Sequence, residues 1–168
     1  MPTFVIGELW ETWNQVDLVC FTSNSITKKD GSLVMGAGSA LQAQRHAPGF
    51  AATAGAWLTA TGRIGSLYGL FVEDVPLFGS DGVRIGHQAL GALQTKRHWM
   101  EPSSLPLIAY SLGHLCQFLE QQPERFRTVA MPFPGIGYGG LPRAEVLPLL
   151  AQALPRHVTI YEPGDPQR

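Results

Sequence analysis

Residues 128–154 read TVAMPFPGIGYGGLPRAEVLPLLAQAL, an apolar strand running into a glycine loop and the loop into an amphipathic helix. A glycine run at that junction removes side chains, so backbone N–H groups can approach a ligand, and a helix N-terminus adds partial positive charge. The guest such a loop suits is a phosphate or diphosphate. Pro142 falls in the first turn, Val146, Leu147, Leu149, Leu150 and Leu154 fall mostly on one stripe, and Pro155 stops the helix.

A second unit of the same kind lies near the other end of the chain. Asp17–Ser23 is apolar and rich in strand formers, and reads as a buried strand ending at Asn24. A polar loop then closes on Met35-Gly36-Ala37-Gly38, and a helix carrying Ala40, Leu41 and Gln42 opens near Ser39, with Ser39 or Gly38 as its N-cap, before Pro48-Gly49 ends it. Between the two units the chain gives a short irregular or helical piece through Trp57, a strand over Ser66–Val72, a turn at Gly79–Gly82, and one or two strands within Val83–Thr95. The segment TKRHW is a loop, and Ser103 or Ser104 caps a long helix reaching about Gln122, with Leu107, Ile108, Leu112, Leu115 and Leu119 as its stripe. Phe4–Ile6 reads as an edge strand and Val158–Pro163 holds the last one.

Alternating strands and helices predict an α/β sandwich, helices on both faces of a mixed sheet. Ligands of such sheets sit outside the carboxyl ends of the strands. Both glycine loops, Asn24 and the Lys96 segment lie at such ends, so they converge on one cleft although far apart in sequence. The three lysines, Lys28, Lys29 and Lys96, all fall in these loops, against nine arginines elsewhere and nearby.

At 168 residues, with 45% hydrophobic and 15% charged side chains, the chain suits one globular domain over 1–168 with a full core. A net charge of −1 excludes a general polyanion-binding surface and leaves only local basic patches. Cys20 and Cys116 read as free buried thiols of a reducing compartment. No leader-like start and no membrane-length apolar run is present, which makes the cytoplasm the expected location, without membrane association. Neither loop is followed by Lys-Ser or Lys-Thr, which excludes a P-loop. Gly135, Gly137 and Gly140 satisfy the dinucleotide spacing formally, with Glu162 about 20 residues on. That motif, however, sits at the C-terminal end of the chain, with Pro132 and Pro134 at the strand-to-loop junction. A nicotinamide-dependent oxidoreductase is therefore the remote alternative.

Five stretches carry a resemblance: Phe21–Asn24, Val34–Gln42, Gln94–Trp99, Met131–Leu141 and Val158–Pro163. In that order they resemble the macrodomain superfamily, a three-layer α/β/α fold with a mixed central sheet, and within it the DarG type, which removes ADP-ribose from DNA bases. The resemblance implies that ADP-ribose lies across the strand ends. Its diphosphate would sit between Met35, Gly36, Ala37, Gly38 and the loop Pro134, Gly135, Ile136, Gly137, Tyr138, Gly139, Gly140. Asn24 would bond the distal ribose and Tyr138 close over it, with Gln42 among the binding residues and Tyr161 or Glu162 near the adenine. Lys96 matches the family's catalytic lysine, thought in protein-directed relatives to attack the anomeric carbon; His98 beside it would act as acid or base. No cofactor and no metal is implied.

The protein-directed human relative carries a catalytic aspartate in the second glycine loop, whereas 134–141 contains no carboxylate. Acid assistance would then fall to Glu145, Asp30, Glu101, His98 or the substrate. This departure favours DNA-linked over protein-linked ADP-ribose. The basic set Lys28, Lys29, Arg45, Lys96 and Arg97 would meet single-stranded DNA and Trp99 would stack a base. A toxin partner is part of the same expectation, and a non-catalytic ADP-ribose reader is the competing class.

Overall fold

The computed structural model describes residues 1–164. Its sheet has six strands: β1 (Thr3–Ile6), β2 (Leu18–Ser23), β3 (Leu70–Phe78), β4 (Arg84–Gln94), β5 (Val129–Pro132) and β6 (Val158–Glu162). Their order is β1-β6-β5-β2-β4-β3. All neighbours are parallel except β3, which runs antiparallel to β4 as an edge strand. Five strands thus point their carboxyl ends at one rim, and that rim receives the loops singled out above.

The centre of the sheet is covered on both faces, which explains why β2 is an unbroken apolar run rather than an alternating one. Leu18 and Cys20 pack with Ile108, Leu112, Leu115, Val146 and Leu150 on one side. Val19 and Phe21 pack with Ala43, Phe50, Ala54 and Leu58 on the other. The first side is built by α3 (Leu105–Gln121) and α4 (Arg143–Ala153), the second by α1 (Gly38–His46) and α2 (Phe50–Ala60). Helices on both faces of a mixed sheet are the architecture the sequence predicts. Both cysteines are free; Cys20 is buried, which pushes its thiol up to about 12, whereas Cys116 is only half-buried.

Several local readings differ, each for a physical reason. The strand expected over 66–72 begins at Leu70, because the N–H groups of Tyr68 and Gly69 donate to the Gln94 side-chain oxygen at 2.7 and 3.1 Å instead of to a neighbouring strand. It then runs on to Phe78, with Pro76 tolerated on the outer edge. The piece through Trp57 is a full helix to Ala60. Ser104, rather than Ser103, caps α3, its Oγ accepting from the Leu107 N–H at 3.4 Å. Ser39 does not cap α1. Ala37 holds the N-cap position without a side-chain bond, and Ser39 Oγ instead accepts from the Thr22 N–H at 3.1 Å, fastening the helix to β2.

Candidate functional site

A cleft of about 960 Å³ opens on the carboxyl rim of the sheet. Both glycine loops line it, Gly36, Ala37 and Gly38 on one side and Gly135, Ile136, Gly137, Tyr138 and Gly139 on the other. Asn24, Gln42, Lys96, Trp99, Tyr161 and Glu162 line it as well. The convergence expected of residues far apart in sequence is therefore present in the fold. A second groove, of about 650 Å³, lies at the opposite rim beside Cys116, Arg127 and His157 and contains none of these residues.

The two loops present their backbone differently. On the first, α1 begins at Gly38 with φ +58° and no side-chain cap, so its first-turn N–H groups are left for a guest. The second does not open a helix directly. After Gly135 at φ +80° it makes a 3₁₀ turn over Gly137–Gly139, and the Leu141 N–H returns to the Gly135 carbonyl at 2.9 Å. Helix α4 starts only at Arg143, and none of its residues lines the cleft. Of the two helix termini expected beside the glycine loops, that of α1 is aimed at the cleft and that of α4 is not. The glycines of the dinucleotide spacing likewise do not open a helix here.

Met35, Pro134 and Gly140 support the loops from outside the cleft, Met35 being wholly buried. Asn24 is 7% exposed, and its side chain clamps its own loop: Oδ1 accepts from the Ile26 N–H at 2.9 Å and Nδ2 donates to the Val34 carbonyl at 3.1 Å. One N–H of the amide remains for a ligand. Gln42 accepts from the indole N–H of Trp10 at 2.7 Å, and Trp10 stacks on His46 with ring centroids 4.8 Å apart. Glu162 is held in a forked pair by Arg143, with N–O distances of 2.7 to 3.2 Å.

Lys96 stands where the lysine loop meets the second glycine loop. Its ammonium donates to the Tyr138 carbonyl at 3.4 Å, and partial burial lowers its pKa from the ordinary lysine value. The Gln94 amide donates to its backbone carbonyl at 3.4 Å and to that of Ser66 at 2.8 Å, anchoring the turn from below. His98 is not among the lining residues; its Nδ1 accepts from the Met100 N–H at 3.1 Å and its ring lies 5.5 Å from that of Trp99. Lys28 and Lys29 lie exposed on a small hairpin closed by the Thr27–Leu33 bridge, and with Arg97 they stand outside the cleft. Of the residues expected to meet DNA, Arg45, Lys96 and Trp99 line it; Trp99 is half-exposed at 50%, and Tyr138, on the same lining, is 82% exposed.

Of the carboxylates weighed as acids, Glu145, Asp30 and Glu101 do not reach the cleft, and the two that line it are Glu8 and Glu162. Glu8, Ser39 and Ser103 also line it without having been singled out for it. Among the described residues no three His, Cys, Asp or Glu side chains are grouped as metal ligands, and no helix is long and apolar enough to cross a membrane.

No family model matches the chain. It superposes on the macrodomain of Thermus aquaticus DarG with a TM-score of 0.70 at 29% identity, covering 99% of both chains. The macrodomain of Mycobacterium tuberculosis DarG gives 0.71 at 27% identity over 98% of this chain and 99% of that one. Thermosipho africanus DarTG, in complex with ADP-ribose, shares the fold at a TM-score of 0.74 and 21% identity, over 99% of this chain and 42% of that one. In sequence, 74 residues are 38% identical to a DNA ADP-ribosyl glycohydrolase of Thermus aquaticus; they make up 41% of this chain and 20% of that protein.

Proposed function

Because this chain is a macrodomain whose structural neighbours are the DarG macrodomains, we propose that it binds ADP-ribose in the cleft and hydrolyses ADP-ribosyl linkages, with ADP-ribosylated DNA bases as substrate. The observation that carries this reading is the meeting of the two glycine loops and Lys96 at one rim. The uncapped first turn of α1 and the backbone of 135–139 take the diphosphate from opposite sides. Asn24 and Tyr138 attend the distal ribose, and Tyr161 and Glu162 the adenine end.

In this reading the neutral Lys96 amine gives its electron pair to the anomeric carbon of the distal ribose. The bond from that carbon to the base nitrogen breaks, and its electron pair leaves with the base, which takes up a proton. Water then hydrolyses the lysine–ribose bond and returns the amine. No carboxylate lies in 134–141, so the departing base takes its proton from water; what supports DNA-linked over protein-linked ADP-ribose is the absence there of the aspartate that the protein-directed relative carries. His98 serves by holding the Lys96–Met100 turn, as an acid or base only if the turn rearranges. Trp99 stacks a base at the mouth, and Arg97, Lys28 and Lys29 attract the strand beyond it. Residues 1–168 act as a single macrodomain, in the cytoplasm, with a toxin as partner.

The ammonium contact to Tyr138 O supports a second reading, an ADP-ribose reader in which Lys96 stays charged and only binds. Release of ADP-ribose from modified single-stranded DNA separates the two. The enzyme reading requires that Lys96→Ala abolish release while keeping ADP-ribose affinity within about a fewfold of wild type. A wild-type protein that binds ADP-ribose and never releases it from DNA is a reader.

A further inference from the structure

Among the described residues, the Ser103 hydroxyl is the one buried side-chain oxygen or nitrogen without a hydrogen-bond partner. Ser103 is 5% exposed, yet it lines the cleft. The serines around it are all engaged: Ser104 Oγ caps α3, Ser111 Oγ donates to the Gln94 carbonyl at 2.6 Å, and Ser23 Oγ donates to the Asn24 carbonyl at 3.1 Å. A buried hydroxyl left without a partner costs free energy that an alanine would not.

What covers this hydroxyl is the second glycine loop. The Ser103 N–H donates to the Gly139 carbonyl at 2.8 Å, and a Cβ placed on Gly139 would fall 2.5 Å from Ser103 Oγ. The backbone of Gly139 therefore lies directly against the hydroxyl at the wall of the cleft. The glycines at 135, 137 and 140, all at positive φ, give that segment room to reorient.

We propose that Ser103 is a diphosphate-binding residue: when a nucleotide seats, the Gly139 peptide yields and the Ser103 hydroxyl donates to a phosphate oxygen. This rests on the nucleotide reading of the cleft given above. The position fits the chemistry, since a hydroxyl donor beneath a loop of backbone donors adds to a site for a charged oxygen acceptor. It also explains why the loop has glycine at 139, where any side chain would occupy the path.

Calorimetric titration of wild type, Ser103→Ala and Ser103→Cys with ADP-ribose and with ADP, beside the thermal midpoints of the free proteins, tests the assignment. Ser103→Ala should bind both ligands about tenfold more weakly, or worse, while its free midpoint equals or exceeds that of wild type. Ser103→Cys, similar in size and a weaker donor, should show the same loss in lesser degree. An affinity change below about twofold overturns the proposal. So does a loss confined to ADP-ribose, which would place the contact on the sugar, or a loss accompanied by a lower free midpoint, which would make Ser103 a structural residue. A wild type that binds neither ligand overturns the nucleotide reading and this assignment with it; binding unaffected by the substitutions overturns this assignment alone.

Discussion

The Lys96 ammonium donates to the main-chain carbonyl of Tyr138 at 3.4 Å, and one residue along the Ser103 N–H donates to the carbonyl of Gly139 at 2.8 Å. The segment that carries the proposed nucleophile is thus fastened to consecutive residues of the loop proposed to hold the diphosphate.

Lys96 sets the pH dependence of the proposed reaction. Attack needs the neutral amine, and burial lowers its pKa, so more of it is neutral at a given pH than in an exposed lysine. Single-turnover release should climb about tenfold per pH unit on the ascending limb and level off below the ordinary lysine value of about 10.4. Lys96→Arg, charged at every accessible pH, should show no release. A pH-independent rate carried by wild type would remove the amine from the chemistry.

The second loop offers a paired test of geometry. At Gly135, φ is +80° and an added Cβ would lie 2.6 Å from Ile108 Cδ1, whereas at Gly137, with φ +66°, an added Cβ meets nothing within 4 Å. Gly135→Ala should therefore destabilise by about 2–4 kcal/mol, strain and overpacking together, and Gly137→Ala by only about 1–2 kcal/mol from strain. Urea midpoints measure the difference, and equal losses would mean that the Ile108 contact is relieved without cost.

Gln94 is the buried support of the lysine turn. Its amide accepts from Tyr68 and Gly69 and donates toward Ser66 and Lys96. Gln94→Leu keeps the bulk but strands two backbone donors, so a loss of about 2–4 kcal/mol is expected in chemical denaturation. A loss under about 1 kcal/mol would show that the 66–69 segment finds other partners.

These contacts also explain what the sequence could and could not disclose. The rim was legible because each of its loops follows a strand whose apolar run is plain, as at Asp17–Ser23 and Val129–Pro132. What was hidden depended on pairings across the fold. Nothing local says that Gln94 will take the Tyr68 and Gly69 donors and delay β3, or that Ser39 will turn to Thr22 rather than cap its helix. The piece through Trp57 read as irregular or helical, and nothing local says that Gly55 sits in α2 because a Cβ there would lie 1.9 Å from the Gly31 carbonyl oxygen. Lys28 and Lys29 shared a loop with the site but not its cleft, since the Thr27–Leu33 bridge carries them away on a hairpin tip. Ser103 appeared only as a possible cap, because its unpartnered hydroxyl is a property of the packed loop and not of the motif.

The central claim is that two glycine loops, about 100 residues apart, hold one diphosphate. Titrating ADP-ribose into isotope-labelled protein and following the backbone amide resonances tests it most directly. The account predicts that the amides of Gly36–Ser39 and of Gly135–Gly139 shift together along one binding curve. Shifts confined to one loop, with the other unmoved at saturation, would contradict it.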